Sequence, residues 1–450
     1  MNNAWLIIVF VISMVYLFAA IVKFKMNPFF SMITASLIIG LCVKIEPGKM
    51  VSGITSGFGS VMTSLGIIIV LGGVLGTLLA EAGATDSLAG YMLDKVGEKH
   101  AGLAINLTGF LISIPVFFGA AYIVLNPILR VLSRKTKKPV QVYITALSVG
   151  LLITHALVIP TPGPMTVASV LNANIGWFII YSLIVAIPAS LIAGWIYGEY
   201  LGKKIPYVEP EDPIEDELEK NHMNQAPAQL AILLILIPLF LIVLGTLLPM
   251  FFQNKILVSV CSLLTEGNGM ISLLISVALA AWLLRPYIKK EYAPLITESF
   301  NGLGETVMLL GAGGSFGVIV QYSGIGDCFV ELLQRWDLSL YILAALLAVL
   351  LRTTLGSSAT SSVTTVSIVA PLCAQMGASP VLIGLTICAG SLAFSTPTDA
   401  SFWIVQKLDN LSIKDTVRCY TAGNAIACTI LLVLIFILNM CRGFLPGLNM

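Results

Sequence analysis

The chain has 450 residues, 57% of them apolar and only 10% charged, with a formal net charge of +1 and a mean hydropathy of +0.96. A soluble domain carries roughly 25% charged residues, so a water-soluble globular protein is excluded, and the balanced charge excludes a protein that binds nucleic-acid phosphates. Eight cysteines without a CxxC pair and only three histidines leave no metal-ligand spacing, so no metal and no cofactor is expected.

Stretches of about 20 apolar residues, each long enough to cross a bilayer as a helix, follow one another along the chain. The first, 4–22, has no basic segment before it and no small-residue cleavage site, so it reads as a membrane helix and not as a signal peptide. The others are 28–45, 57–93, 102–132, 140–170, 174–200, 228–250, 253–284, 297–330, 338–377, 380–406 and 416–441. Between them, 203–227 (KKIPYVEPEDPIEDELEKNHMNQAP) is the one long hydrophilic stretch, and its charge and proline content suit a solvated linker.

The two sides of that linker resemble each other. Gly72, Gly73, Gly76, Gly83 and Asp86 recur 241 residues later as Gly313, Gly314, Gly317, Gly324 and Asp327, and Pro139 meets Pro380 at the same offset. A membrane chain with an internal repeat is characteristic of secondary transporters. The expected division is an N-terminal membrane helix (1–27), repeat 1 (28–202), a cytoplasmic linker (203–227), a linking membrane helix (228–252) and repeat 2 (253–450).

Lys and Arg orient the chain. RVLSRKTKK (130–138), KFK (23–25), Lys203/Lys204 and RPYIKK (285–290) can all be cytoplasmic only if 102–132 enters the membrane and returns to the same side. The counterpart, 338–377, has flanks nearly free of Lys and Arg and is expected to open outward. The fold expected is therefore an all-α polytopic membrane protein of two inverted repeats. Each repeat has a re-entrant hairpin (102–132, 338–377) and a broken transmembrane helix (140–170, 380–406).

Four places interrupt apolar helix with turn or hydroxyl residues: FFGAAY with LNP (117–127), HALVIPTPGP (155–164), LRTTLGSSATSS (351–362) and STPTDAS (395–401). Proline removes a backbone donor and clashes with the preceding turn, so PTPGP cannot be continuous helix. Irregular backbone at membrane depth survives only where protein or water satisfies it, so these breaks mark a cavity whose free helix amides favour anions. The substrate-lining candidates are Gly119, Asn126, Thr161, Pro162, Gly163, Arg352, Gly356, Ser357, Ser358, Thr360, Ser361, Thr396 and Thr398. His155 and Asp399 are ionisable groups within apolar segments and are the candidates for proton coupling. Arg352 can face an anionic substrate or pair with Asp399. Asp86 and Asp327 are expected to cap helices, Glu81 and Glu305 to lie at the interface, and GAGGSFG (311–317) to serve close helix packing. Ser358, His155 and Asp399 are also the types a hydrolase triad needs, but there is no GxSxG elbow and the repeat would go unexplained.

With these motifs in view, the chain resembles the gluconate permease (GntP) family. The resemblance rests on VIPTPGP with His155 upstream, SIPVFF (113–118), GAGGSFGVIVQYSGIGD (311–327), GSSATSSVTTVSIVAPL (356–372) and DASFW (399–403), and it covers nearly the full length. It implies a proton-coupled symporter for gluconate or a related small sugar acid in a bacterial inner membrane, and no enzyme. The coupling proton, the anionic substrate and the lipid bilayer are then the partners. It also implies kinship with dicarboxylate carriers that have two hairpins, two broken helices, a dimeric scaffold and an elevator-type motion. Ser358, Ala359 and Thr360 resemble the hairpin-tip motif of those carriers, and Thr396 to Asp399 their unwound loop. Where family members often carry Glu after the paired Phe, His in the proline-rich motif and an Asn-Asp pair before the late Phe-Trp, this chain has Gly119, Thr161 and Thr398–Asp399. Sodium as the coupling ion, and D-serine or another small carboxylate as the substrate, are the alternatives.

Overall fold

The computed structural model describes residues 3–24, 26–116, 118–209, 225–252, 254–325, 339–395 and 399–448. Among them every regular element is a helix. The helices are α1 (Asn3–Phe18), α2 (Pro28–Cys42), α3 (Pro47–Glu81), α4 (Ala84–Val96), α5 (Ala101–Ile112), α6 (Phe118–Thr136), α7 (Val140–Leu157), α8 (Pro162–Val170), α9 (Ile175–Ser190) and α10 (Tyr197–Gly202). They continue as α11 (Ala228–Phe251), α12 (Lys255–Leu283), α13 (Tyr292–Ser323), α14 (Leu340–Leu355), α15 (Ser358–Gln375), α16 (Pro380–Gly390), α17 (Ala400–Leu408), α18 (Ile413–Thr416) and α19 (Ala422–Met440). The segment 210–224, most of the predicted linker, lies outside the described residues, as do Asp327, Thr396 and Thr398.

Four described stretches are long and apolar enough to cross a membrane, at 140–170, 175–202, 228–251 and 413–440; two more qualify if α3 and α12 are counted across their bends. The protein is thus a multi-pass membrane protein. Helix α12 turns by 76° between Thr265 and Gly269, and Gly269 has φ +76°. Other predicted spans are split into halves too short to cross alone, among them Ala101–Ile112, Leu340–Thr353 and Pro380–Gly390.

The longest helices, α3 and α13, cross in antiparallel fashion. A Cβ on Gly57 would lie 2.5 Å from the Gly314 carbonyl oxygen, and one on Gly311 would lie 2.2 Å from the Phe58 ring. The Ser315 hydroxyl donates to the Ile54 carbonyl at 2.7 Å. Close backbone approach at small residues, with an interhelical hydrogen bond worth about 0.6 kcal/mol, replaces the hydrophobic driving force that lipid removes. GAGGSFG therefore serves helix packing, as its apolar context indicates.

Both halves contain a helix–break–helix hairpin. Lys99 and His100 before α5, and Thr136 at the end of α6 with Lys138 just after it, line one surface cavity with Trp195 and Glu199. Lys138 bonds Glu199 at 2.7 Å. Both ends of 101–136 therefore emerge on one face. In the second half, Tyr341 at the start of α14 lies beside Ser379, which follows α15, and beside Arg442. Arg442 leads to Pro446 and Gly447, which meet Tyr181 and Trp177 near the start of α9. Since α9 and α10 run from Trp177 to Glu199, the second hairpin opens on the face opposite the first. Two hairpins of opposite sense are the geometry of inverted repeats.

The repeated residues occupy matching places. Gly83 (φ +65°) and Gly324 (φ +71°) both follow a long helix in the left-handed region that favours glycine. Pro139 caps the start of α7 and Pro380 opens α16, the first half of each broken helix. A Cβ on Gly76 would lie 2.3 Å from the Pro115 carbonyl oxygen in the first hairpin, and one on its counterpart Gly317 would lie 3.2 Å from the Ser367 side chain in the second. The repeat thus conserves the contact between each long helix and its hairpin. Asp86 departs from the expectation. Gly83 holds the cap position of α4, and Asp86 stands in the first turn, where its charge still favours the helix dipole.

Candidate substrate site

The amino ends of two short helices lie side by side in the interior. Helix α7 ends at Leu157, the chain passes through Val158–Thr161, with a cis bond at Ile159–Pro160, and α8 starts at Pro162 with Thr161 as its cap residue. In the second hairpin α14 ends at Gly356 (φ +73°), Ser357 caps, and α15 starts at Ser358. Gly356 is required there because the chain reverses through the left-handed region. Gly163 in the first turn of α8 faces Ala359 in the first turn of α15, so close that a Cβ on Gly163 would stand 3.5 Å from the Ala359 Cα. Both helices direct first-turn amides and the positive end of their dipoles into one region.

The hydroxyls around this junction divide by what they do. Ser357 Oγ accepts from the Thr360 amide at 3.3 Å and so caps α15. Ser361 donates to the Ser357 carbonyl, Thr364 to the Thr360 carbonyl and Thr365 to the Ser361 carbonyl, the back-bonding of a helix interior. Thr161 donates to the Val158 carbonyl at 2.6 Å. Ser358, Thr360 and Thr161 are all buried. His155, Thr161 and Pro162 line a narrow cleft of about 20 Å³ together with Gly72, Gly73, Pro115 and Val116. The proline-rich loop of repeat 1 therefore meets its own hairpin on one side and the hairpin of repeat 2 on the other.

Arg352 decides the second part of the site. Its side chain is only 2% exposed. Nη2 donates to Asp399 Oδ2 at 2.5 Å and to Ser395 Oγ at 2.7 Å, and Nη1 donates to the Gly356 carbonyl at 2.5 Å. Of its two sequence readings, pairing with Asp399 is the observed one. Asp399 also accepts from the Tyr420 hydroxyl at 2.8 Å and, as cap of α17, from the Ser401 amide at 2.9 Å. One guanidinium thus ties the hairpin tip to the broken helix of its own repeat. The bonds that hold Asp399 come from Arg352, Tyr420 and Ser401, an arrangement unlike a Ser–His–Asp relay.

Sequence reasoning missed Ser395, Tyr420 and Asn424. Asn424 Nδ2 donates to Ser395 Oγ at 3.2 Å, and Thr421 donates to the Ser395 carbonyl at 2.6 Å. The spacing of Tyr420 and Asn424, one helical turn apart at the start of a predicted span, was the available signal. Gly119 sits in the first turn of α6, where a Cβ would lie 3.3 Å from Ile404 of α17. This mirrors Gly163 against Ala359: each hairpin's second helix meets the broken helix of the other repeat. Asn126 lies two turns further along α6 and donates to Asp409 Oδ1 at 2.7 Å. Glu81 pairs with Lys290 at 3.0 Å on the surface, while the Glu305 side chain lies outside the described residues.

Comparison with known proteins agrees with this geometry. The model of the GntP family permeases matches residues 5–441. The chain is 30% identical over 444 residues to a gluconate permease of Pseudomonas aeruginosa, covering 98% of each chain. It is 27% identical over 444 residues to the D-serine transporter DsdX of Escherichia coli K12, covering 97% of this chain and 99% of that one. Among solved structures the YdaH transporter of Alcanivorax borkumensis shares the fold, with a TM-score of 0.67 at 16% identity over 88% of this chain and 89% of that one.

Proposed function

We propose, given that the chain belongs to the GntP family of permeases, that it imports gluconate or a related small sugar acid across a bacterial inner membrane by proton symport. The membership makes it a membrane transporter; the substrate, the coupling ion and the membrane are our reading. The observation that carries the reading is the meeting of the α8 and α15 amino ends at Gly163 and Ala359. Two helix ends aimed at one spot form a site for a carboxylate that needs no extra fixed cation. Arg352 is already matched by Asp399, which leaves the helix ends as the source of positive potential.

In this reading the carboxylate rests on the amides of Gly163, Ser358 and Ala359. Thr161, Ser357, Ser358 and Thr360 offer hydroxyls to the polyol chain. The proton is exchanged at His155, which borders the cleft. Asp399 serves as the counter-ion that keeps Arg352, and with it the hairpin tip, in place. The Lys/Arg-rich face is cytoplasmic, so the first hairpin is the inner gate and the second the outer one.

The test is uptake of labelled gluconate into membrane vesicles with and without an imposed pH gradient. Accumulation above the external concentration is expected only when the outside is the more acidic. Accumulation without any gradient overturns proton symport. Saturable uptake of D-serine with none of gluconate or other sugar acids overturns the substrate assignment.

A further inference from the structure

The surface cavity at the base of the first hairpin takes no part in the transport site. Lys99, His100, Thr136, Lys138, Trp195 and Glu199 surround about 510 Å³ there, on the Lys/Arg-rich face. Helix α5 begins at its wall, with His100 in the cap position and no side-chain cap bond, so first-turn amides are left for another acceptor. A Cβ on Gly102, in that first turn, would lie 3.3 Å from Glu199 Oε1 and 3.4 Å from Trp195 Cδ1. The positive end of α5 thus borders the cavity. Glu199 is matched by Lys138, whose Nζ donates to both carboxylate oxygens, at 2.8 and 2.7 Å. Lys99 is exposed and pairs with no carboxylate among the described side chains. Among the described lining residues, two lysines and a helix amino end stand against one carboxylate, which leaves the cavity net positive.

The same cavity reaches the lipid. Trp195 and Glu199 stand near the Lys/Arg-rich end of the apolar span 175–202. The residues that follow them, Ile196 and Tyr200, are 53% and 52% exposed, and on a membrane-spanning helix that exposure faces acyl chains. The Trp195 and His100 rings meet edge to face with centroids 6.4 Å apart. Tryptophan and tyrosine at the end of a span mark the level of the lipid headgroups. A soluble anion would use only the positive charge. A molecule that uses the charge and the adjoining apolar stripe together is a phospholipid with an anionic headgroup. We propose that the cavity binds such a lipid, its phosphate against Lys99 and the amino end of α5 and its chains along Ile196 and Tyr200. The basic face is cytoplasmic in the transport reading, so the lipid comes from the inner leaflet. The site goes beyond that reading and depends neither on the substrate nor on the coupling ion. Once occupied, it ties the start of α5 to the span 175–202, to which the Lys138–Glu199 pair already ties the segment after α6. Both feet of the first hairpin are then anchored on one lipid-facing helix.

The experiment uses the full-length protein in an uncharged detergent, titrated with phosphatidylglycerol brominated in its acyl chains while tryptophan fluorescence is followed. Phosphatidylcholine brominated in the same way reports ordinary contact with surrounding lipid. We expect saturable quenching by the brominated phosphatidylglycerol, with an apparent affinity at least fivefold higher than that of the brominated phosphatidylcholine. Trp195→Phe should remove this tighter component. Lys99→Gln should weaken it at least fivefold, while Lys289→Gln, an exposed lysine elsewhere on the basic face, should leave it unchanged. Equal quenching by the two lipids overturns the site, and so does a phosphatidylglycerol preference that persists in Lys99→Gln. Inorganic phosphate in tenfold excess over the lipid, at constant ionic strength, should not relieve the quenching; relief would assign the cavity to a free anion and overturn the lipid. Should Trp195→Phe fail to fold, Lys99→Gln, a change at an exposed side chain, decides alone. The readout needs no substrate, so a failure of gluconate uptake removes the substrate assignment and leaves the lipid site standing.

Discussion

Replacing Arg352 with Gln offers the sharpest test of how the second hairpin is held. Arg352 is almost fully buried and makes three hydrogen bonds, to the Gly356 carbonyl, to Ser395 and to Asp399. Its removal leaves Asp399 buried with only Tyr420 and Ser401 as donors. Breaking a buried ion pair by taking away one partner costs about 3–5 kcal/mol, chiefly because the other charge is stranded. Asp399→Asn strands the guanidinium instead and should cost a similar amount. The double variant Arg352→Gln/Asp399→Asn removes both charges and should be less destabilised than the sum of the singles by about 2 kcal/mol or more, within the range seen for residues in direct contact. Thermal unfolding of the four proteins in one detergent at one pH measures this, with substrate counterflow recorded alongside. Additive losses across the cycle would refute the reasoning, since they would mean that each charge is stabilised by something other than its partner.

Other outcomes follow from neighbouring contacts. Gly76→Ala should destabilise the protein by about 1–3 kcal/mol through a clash with the Pro115 carbonyl. Gly72→Ala, whose added Cβ meets nothing within 4 Å, should be neutral or slightly stabilising; equal effects in thermal unfolding would contradict the assigned contact. Gly163→Ala should transport nearly as well as the parent, while Gly163→Leu should push the hairpin tip away and raise KM at least tenfold in uptake assays. For Asp409 the sign is that of a raised carboxyl group. Its contribution to stability is fully present below the ordinary pKa of 3.8 and lost as pH climbs through about 6. At 1.36 kcal/mol per pKa unit, that is about 3 kcal/mol between pH 4 and 7. Asp409→Asn should remove this slope from the pH dependence of thermal stability.

How much of this was legible beforehand depends on the range of the interaction concerned. Composition determined the membrane class, because a chain with so few charges cannot solvate its own surface. The glycine and proline spacing of the repeat was legible because Gly83 and Gly324, and Pro139 and Pro380, do local backbone work that only those residue types do well. The breaks at PTPGP and at Gly356 were legible for the same reason, and so were the opposed senses of the hairpins, through the placement of Lys and Arg. Partners were not. Arg352 could face substrate or Asp399 on local grounds alone, and only the packing of α14 against the second broken helix decided it. The Tyr122–Asn126–Arg130 stripe stood in the sequence as a helical periodicity, but nothing local says that Tyr122 and Asn126 donate to the Asp409 carboxylate and Arg130 to the adjacent Leu408 carbonyl. A carboxylate's partner is set by which helices come to lie together, and that is a property of the folded bundle and not of any segment within it.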